Sequence, residues 1–346
     1  MVLKGILIVA GYSRIVRIRA VVFCYRRWLL FARVDESVCQ QVVATLKDFA
    51  IPKDTEDTSI EGLSPNQTCD FYLMLVGICH QTQSLMGTCS GEPKRGWDYL
   101  RLKLLNAALE APGLLNVGAW GTFDEDRLQE IMHDDEAGNT LSDVSGRVAL
   151  VQDLGNLFLK SGWTSATDLF QASQGDVTKI LVNLAKSRAY NDPIRKKSYF
   201  YLGLVANSNA FELSSLDELG APVDYHEVRG HLRLGTVTLA PELRSKLLEN
   251  ETVAQLEDVA IRSAVHEAIK LIAHELFISP MRLHYLFWNL FRNICDRKSP
   301  FCRIKCDSLP ERYQHFSIDG CPFNGECRSI NDDTKLLEHA FFTDWY

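Results

Sequence analysis

The first 34 residues contain no aspartate or glutamate, while Lys4, Arg14, Arg17, Arg19, Arg26, Arg27 and Arg33 give them a net charge of +7 and leave the remainder at −14. The arginines recur too often to leave the uninterrupted apolar run of roughly 18–20 residues that a bilayer-spanning helix needs. They also break the order of basic start, apolar stretch and small-residue cleavage site that defines a signal peptide. The segment reads as an extension, or a misplaced translation start, ahead of a domain beginning near Asp35. An interfacial basic helix is the second reading. No membrane partner is expected. Internal repeats are lacking too, as are a strand–turn–helix phosphate loop and a glycine fingerprint for nucleotides, which sets aside solenoids and the common phosphate-cradling folds. Only 11 Pro and 21 Gly occur in 346 residues, 46% of which are hydrophobic, so a disordered or collagen-like polymer is excluded. A formal charge of −7 argues against a broadly basic nucleic-acid coat and leaves room for a local basic groove. The length fits one large domain or two closely packed ones, and we expect a monomer.

Cysteine is plentiful and unevenly placed. Cys24, Cys39, Cys69, Cys79 and Cys89 are scattered, whereas Cys295, Cys302, Cys306, Cys321 and Cys327 crowd into 33 residues. A secreted disulfide scaffold would spread them through a short chain; a cluster in a large, ordinary one reads as a metal site in a reducing, cytoplasmic compartment. Four thiolates suit a tetrahedral zinc or an iron–sulfur cluster. The gaps of six residues (Cys295 to Cys302) and five (Cys321 to Cys327) exceed the usual zinc knuckle and suit a wider loop around a cluster.

Apolar spacing predicts a mostly helical protein. Leu283, Leu286, Phe287, Leu290, Phe291 and Ile294 share one helix face, Val265, Ile269, Ile272 and Leu276 repeat the pattern, and Val151, Leu154 and Phe158 mark another helix. The run Phe71–Cys79 is apolar on every side, hence a buried helix or strand, with its neighbours favouring helix. Residues 52–68, 87–96, 111–124 and 134–146 are rich in Pro, Gly, Asp, Thr and Ser and read as connections.

The stretch from His284 through Cys302, with the Cys-x6-Cys and Cys-x5-Cys gaps, resembles the C-terminal part of the endonuclease III family of helix-hairpin-helix (HhH-GPD) DNA glycosylases. There, a helix runs into a loop holding a [4Fe-4S] cluster. This chain places eighteen residues between Cys302 and Cys321 where the family has two. The resemblance implies Cys295, Cys302, Cys321 and Cys327 as ligands, with Cys306 as an alternative. A second block, Ala221-Pro222-Val223-Asp224-Tyr225-His226-Glu227-Val228-Arg229, resembles the family's Pro-Val-Asp-x-His-x-x-Arg segment, which implies that Asp224 is catalytic. The chemistry needs such an anion, because breaking an N-glycosidic bond develops positive charge on the sugar. Asp224 as a plain helix N-cap is the competing reading. Tyr225 and His226 would then touch substrate.

Upstream, Asn191-Asp192-Pro193-Ile194-Arg195-Lys196-Lys197-Ser198 sits where the family has a glycine-rich hairpin followed by lysine, which implies Lys197 as a nucleophile. The alternative is that Lys197 is one of three solvated cations near a phosphate. The hairpin glycines that let backbone amides grip a DNA phosphate are missing, and Pro193 replaces neither donor nor flexibility. A third block, Gly77-Ile78-Cys79-His80-Gln81-Thr82-Gln83, is similar to the end of the family's first core helix and implies Gln81 and Gln83 as base contacts; a polar helix end facing water is the alternative. Trp97, Tyr99 and Trp120 are either stacking residues or core. Gly96-Trp97-Asp98-Tyr99-Leu100, the pair Asp224-Tyr225 and the missing glycines are similar to queuosine salvage glycosylases, which cleave a modified nucleoside phosphate.

Together these blocks imply an all-α, two-lobed glycosylase-like fold. Its expected parts are the extension 1–34, a helical domain 35–294, a cluster loop 295–328 and a tail 329–346. The implied reaction is hydrolysis of the N-glycosidic bond of a damaged or modified base in DNA, as in base excision repair, with strand cleavage if the lysine acts. The alternatives are salvage of a free modified nucleotide and a noncatalytic iron–sulfur module that binds nucleic acid. The cluster would hold Arg297, Lys298, Arg303 and Lys305 against a nucleic-acid backbone.

Overall fold

A computed structural model describes residues 30–47, 49, 51, 57–302, 321–331 and 336–346. Cys306, Arg303 and Lys305 lie outside the described residues, as does nearly all of the basic N-terminal segment. The protein is mostly helical, as its apolar periodicity predicts. Strand β1 (Ala32–Val34) leads into α1 (Glu36–Lys47), and α2 (Pro65–Gly77) is followed by the strands β2 (Met86–Cys89) and β3 (Glu92–Arg95). Helices α3 (Gly96–Glu110), α4 (Glu125–Met132), α5 (Val144–Ser161), α6 (Ala166–Ala172) and α7 (Val177–Leu184) complete a first lobe with α8 (Lys196–Asn207). The chain then forms α9 (Tyr225–Leu234), β4 (Val237–Leu239), α10 (Pro241–Leu248), α11 (Gln255–Glu275), α12 (Pro280–Asn293) and the short α13 (Arg328–Asn331).

Two cores account for this division. The first centres on α2, whose Phe71, Leu73, Leu75 and Val76 are buried together with Leu104, Val151, Leu154, Phe158 and Tyr201. Surrounded on all sides, α2 needs no polar face, which explains its unbroken apolar run. It starts at a capping box in which Ser64 and Gln67 each accept from the other's backbone amide, with Pro65 in the first turn. The second core packs Val42, Val228, Ile261, Val265, Ile269, Phe287 and Phe291 from α1, α9, α11 and α12. The stripe Leu283 to Ile294 forms the buried side of α12. Strand β1 pairs antiparallel with β4, so the chain joins the second lobe by Ala32, ahead of the boundary expected at Asp35.

Two of the expected connections are structured: 111–124 holds the short 3-10 helices Pro112–Leu115 and Val117–Thr122, and 87–96 a pair of strands. Residues 87–96 include most of a β-hairpin, β2 pairing with β3. Its two-residue turn is Ser90-Gly91, both at positive φ (53° and 78°), the turn that matches strand twist. The strands are too short for an alternation signal to stand out in the sequence.

The lobes meet along buried polar contacts. Arg262 of α11 donates to both oxygens of Asp192 at 2.8 Å and to Asp258 Oδ2 at 2.9 Å, all three residues being buried. Tyr199 of α8 stacks on His266 of α11 with ring centroids 5.8 Å apart. Segment 336–346 crosses the same junction, its Tyr346 hydroxyl donating to Asp258 Oδ1 at 2.6 Å. Among the described residues no helix is long and apolar enough to cross a membrane.

Candidate active site and cysteine centre

Asp224 is the N-cap of α9. Its Oδ1 accepts from the backbone amides of His226 (2.8 Å) and Glu227 (3.4 Å), the local geometry any capping aspartate adopts. A second contact goes beyond capping: Trp288 of α12 donates its Nε1 proton to Oδ2 at 3.0 Å. The carboxylate is therefore fixed through both oxygens while its residue stays half-buried. Burial raises the carboxyl, but His226, Lys196 and His284 and the His226 amide pull it down hard enough to hold it below the ordinary carboxylate value. An anion held in this way is what a developing oxocarbenium charge requires.

Around Asp224 stand the other predicted residues of this block. Tyr225 tilts against His226 with centroids 4.2 Å apart, and burial raises its hydroxyl pKa. Arg229 Nη2 donates to His226 Nδ1 at 2.9 Å, which leaves the imidazole proton on Nε2; burial brings His226 down to about 4, so the ring is neutral at pH 7. Below them Glu227 and His284 form a buried pair at 2.8 Å.

The two lysines separate sharply. Lys197 is completely buried, and its ammonium donates to Gly77 O at 2.6 Å. With Arg147, whose Nη1 reaches Ile78 O and whose Nη2 donates to His80 O at 2.7 Å, it closes the C-terminal end of α2, where the helix dipole favours cations. Burial lowers the Lys197 amine to about 8. Lys196, one residue earlier, is only half-buried; its amine lies 3.8 Å from Cys79 Sγ and 5.1 Å from the centre of the Phe200 ring, and its charge acts on Asp224.

Aromatic faces complete the site. Trp97 of α3 packs on Phe200 with centroids 4.8 Å apart, and Arg292 lies over Trp288 at 4.7 Å while reaching Asp98 of the first lobe at 3.8 Å. Of the three aromatics singled out in the sequence, Tyr99 and Trp120 are core and Trp97 alone is half-buried at the lobe junction. Gln81, at a strained φ of 45°, donates Nε2 to Phe341 O at 3.4 Å, and Gln83 is exposed. The missing hairpin glycines put a phosphate grip here in question, and the amides of this segment are indeed occupied: Ile194 N and Lys196 N donate to Asp192 Oδ1 (3.1 Å) and Oδ2 (2.9 Å). Phe200, Trp288 and Lys196 were missed as site residues in the sequence. For Lys196 the signal was present in the Lys-Lys pair; for Trp288 it was the fourth position after His284 in the stretch that resembles the family, but its apolar surroundings read as core.

At the other end of α9, Cys295, Cys302, Cys321 and Cys327 line one apolar cavity together with Gly230, Arg233 and Phe291. Gly230 is required there, since an added Cβ would overlap the Phe291 ring. Arg233 Nη1 donates to Cys295 Sγ at 3.3 Å and to Asp296 O at 2.8 Å, and Arg229 Nε to Cys295 O at 3.1 Å, so the helix capped by Asp224 also organises the cysteines. Burial pushes up the Cys321 thiol, with Cys295, Cys327 and Cys302 adding to it, and raises Cys327 to about 11. Among the described residues no three His, Cys, Asp or Glu side chains form a group that could hold a metal ion. The donor type, four cysteines lining one cavity with a guanidinium against the Cys295 sulfur, is the one a sulfur-ligated cluster takes. Of the basic loop, Arg297 is paired with Glu338 at 2.7 Å.

Fold and site define a mostly helical, two-lobed protein with a fixed carboxylate at the lobe junction and a four-cysteine centre behind it. No family model and no curated protein matches the chain. Among solved structures, the chain is similar to an 8-oxoguanine DNA glycosylase from Pyrobaculum aerophilum, Pa-AGOG, in complex with 8-oxoguanosine. The likeness has 13% identity over 85% of this chain and 99% of that one, with a TM-score of 0.42. At that level function has to be read from the site.

Proposed function

We propose that the protein is an N-glycosylase that hydrolyses the bond between a damaged or modified nucleobase and its sugar in DNA. The observation that carries this reading is Asp224, ionised and held through both carboxylate oxygens beside a lysine and aromatic faces at the lobe junction. As the C1′–N bond breaks, its electron pair leaves with the base. Asp224 stabilises the positive sugar and accepts a proton from the incoming water, whose oxygen bonds to C1′; the departing base takes up a proton. Trp97, Phe200 and Trp288 offer flat faces for a base. Lys196, not the buried Lys197, is the amine available for attack on C1′ if the enzyme also cleaves the strand.

Cys295, Cys302, Cys321 and Cys327 would hold a [4Fe-4S] cluster. The four cysteines lining one cavity, with the wide gaps between them, are what supports this reading. When bound, the cluster would supply a rigid cross-link between the end of α12 and the loop that follows it. The contribution of this chain is the α9 arginines, which tie that loop to the helix bearing Asp224.

A second reading, salvage of a free modified nucleotide, is favoured by one observation: the hairpin amides are already bonded to Asp192 and do not offer a phosphate grip. A base-release assay on damaged duplex, damaged single strand and free modified nucleotides, with anaerobically purified protein and Asp224→Asn as control, decides between them. Release from strands only supports the first reading, and release from free nucleotides only supports the second.

A further inference from the structure

Between β4, α10 and α13 the second lobe forms a polar cavity of about 260 Å³, lined by Thr238, Arg244, Arg328 and Ser329 with Leu232 and Leu336. Leu232 stands eight residues beyond Asp224 on α9, about 12 Å along the helix, so the cavity is separate from the candidate active site. Its walls follow from the local sequence. Gly235 ends α9 at a φ of 91°, and an added Cβ there would meet Arg328 Nε at 2.9 Å, so glycine lets that side chain lie against the helix end. Asp35 fixes Arg328 further, accepting from its Nη2 at 3.0 Å. Thr238 pairs across the sheet with Arg33 and accepts from its Nε at 3.2 Å. Arg244 comes one turn into α10, whose start is set by Pro241.

Two groups in the lining have nothing to bond. Among the described residues, the Arg244 guanidinium has neither a hydrogen bond nor an acid within ion-pair distance. The Ser329 hydroxyl likewise lacks a partner there, although its residue is only 9% exposed. A hydroxyl this far from bulk water is normally satisfied, so the two groups mark a place where a ligand supplies the acceptors. The surrounding charge gives that ligand's sign: Arg33, Arg244 and Arg328 gather there, and Asp35 is already paired with Arg328. A phosphate suits the set, because its oxygens accept from two guanidiniums and a hydroxyl in different directions. A bare phosphate fills only a small part of about 260 Å³, which leaves room for an esterified group.

We propose that this cavity binds a phosphate ester, held by Arg244, Arg328 and the Ser329 hydroxyl. The inference stands apart from the glycosylase reading, and its test measures binding, not base release. The full chain, purified without oxygen, is titrated at fixed ionic strength with adenosine 5′-monophosphate, with adenosine, and with an undamaged labelled oligonucleotide. Wild type is compared with Arg244→Gln, with Ser329→Ala, which changes no charge, and with Arg127→Gln in α4 of the first lobe, which controls for lost charge. Adenosine 5′-monophosphate should bind and adenosine should not. We expect Arg244→Gln to weaken phosphate binding about tenfold and Ser329→Ala about threefold, with Arg127→Gln matching wild type. The cavity variants should melt with wild type, since neither altered side chain has a partner in the fold. A loss that extends to the oligonucleotide assigns the ester to a nucleic-acid backbone, and a loss confined to the monophosphate assigns it to a free ester. Cavity variants that bind both phosphate probes no more weakly than Arg127→Gln does, or a wild type that binds neither, overturn the proposal.

Discussion

The indole of Trp288 donates to the carboxylate of Asp224 at 3.0 Å, linking α12 to the cap of α9 across the candidate site. This bond is not needed for capping, since Oδ1 alone serves the two backbone amides. It favours the ionised carboxylate, so removing it should raise the Asp224 pKa. Trp288→Phe is expected to shift the acid limb of the base-release profile to higher pH and to lower the rate about tenfold, in line with a hydrogen bond to a charged group. A full pH–rate profile of both proteins checks it; a rate loss with an unmoved acid limb would assign Trp288 to packing alone.

The adjacent lysines should behave differently. Lys196→Ala is expected to abolish any borohydride-trapped protein–DNA adduct while leaving the fold intact, because the side chain is half-buried with its amine over Phe200. Lys197→Met should retain the adduct and instead cost about 1–3 kcal/mol of stability, since it leaves a buried carbonyl at the end of α2 without its donor. Trapping assays and urea titrations on both variants separate the roles.

The lobe junction carries an acid-sensitive contact. Burial alone would raise Asp258, but His339 and Arg262 bring it to about 2, below its unfolded value of 3.8. Because the folded pKa is depressed, its contribution is fully present above the unfolded value and is lost as pH falls toward 2; the shift corresponds to about 2 kcal/mol. Arg262→Met leaves Asp192 and Asp258 buried without their shared cation and should destabilise the protein by about 3–5 kcal/mol. Urea midpoints at pH 7 and 3 test both statements.

For the cysteine centre, protein purified without oxygen should carry about four irons and four sulfides per chain. Cys295→Ala and Cys321→Ala should each lose the visible absorbance of the cluster and lower the melting temperature. Arg233→Gln, which removes the donor to Cys295 Sγ, should retain iron but release it faster to a chelator. A zinc content of one per chain in place of iron and sulfide would replace the cluster with a single ion.

Much of this was legible in the sequence, and the exceptions have identifiable causes. The helical stripe from Leu283 to Ile294 and the run Phe71–Cys79 were readable because burial imposes a period, or removes one when a helix is enclosed. The grouping of the cysteines followed from their density. Which of Lys196 and Lys197 faces Asp224 was not legible: the two are neighbours in the first turn of α8, and only its rotation, set by packing on both cores, turns one inward. The hairpin at Ser90-Gly91 went unseen because each strand is four residues long. The occupation of Gln81 by Phe341 depends on a contact between residues 260 apart in sequence, which no local pattern reports.

The central claim is that the Asp224 carboxylate drives base release. Asparagine is nearly as good an N-cap, so Asp224→Asn should keep the fold and melting temperature while removing the charge. The decisive measurement is single-turnover base release from a damaged-base panel by wild type and Asp224→Asn, folded equally well. We expect measurable release by wild type and a loss of about a hundredfold or more in the variant. Equal rates for the two proteins would contradict the account.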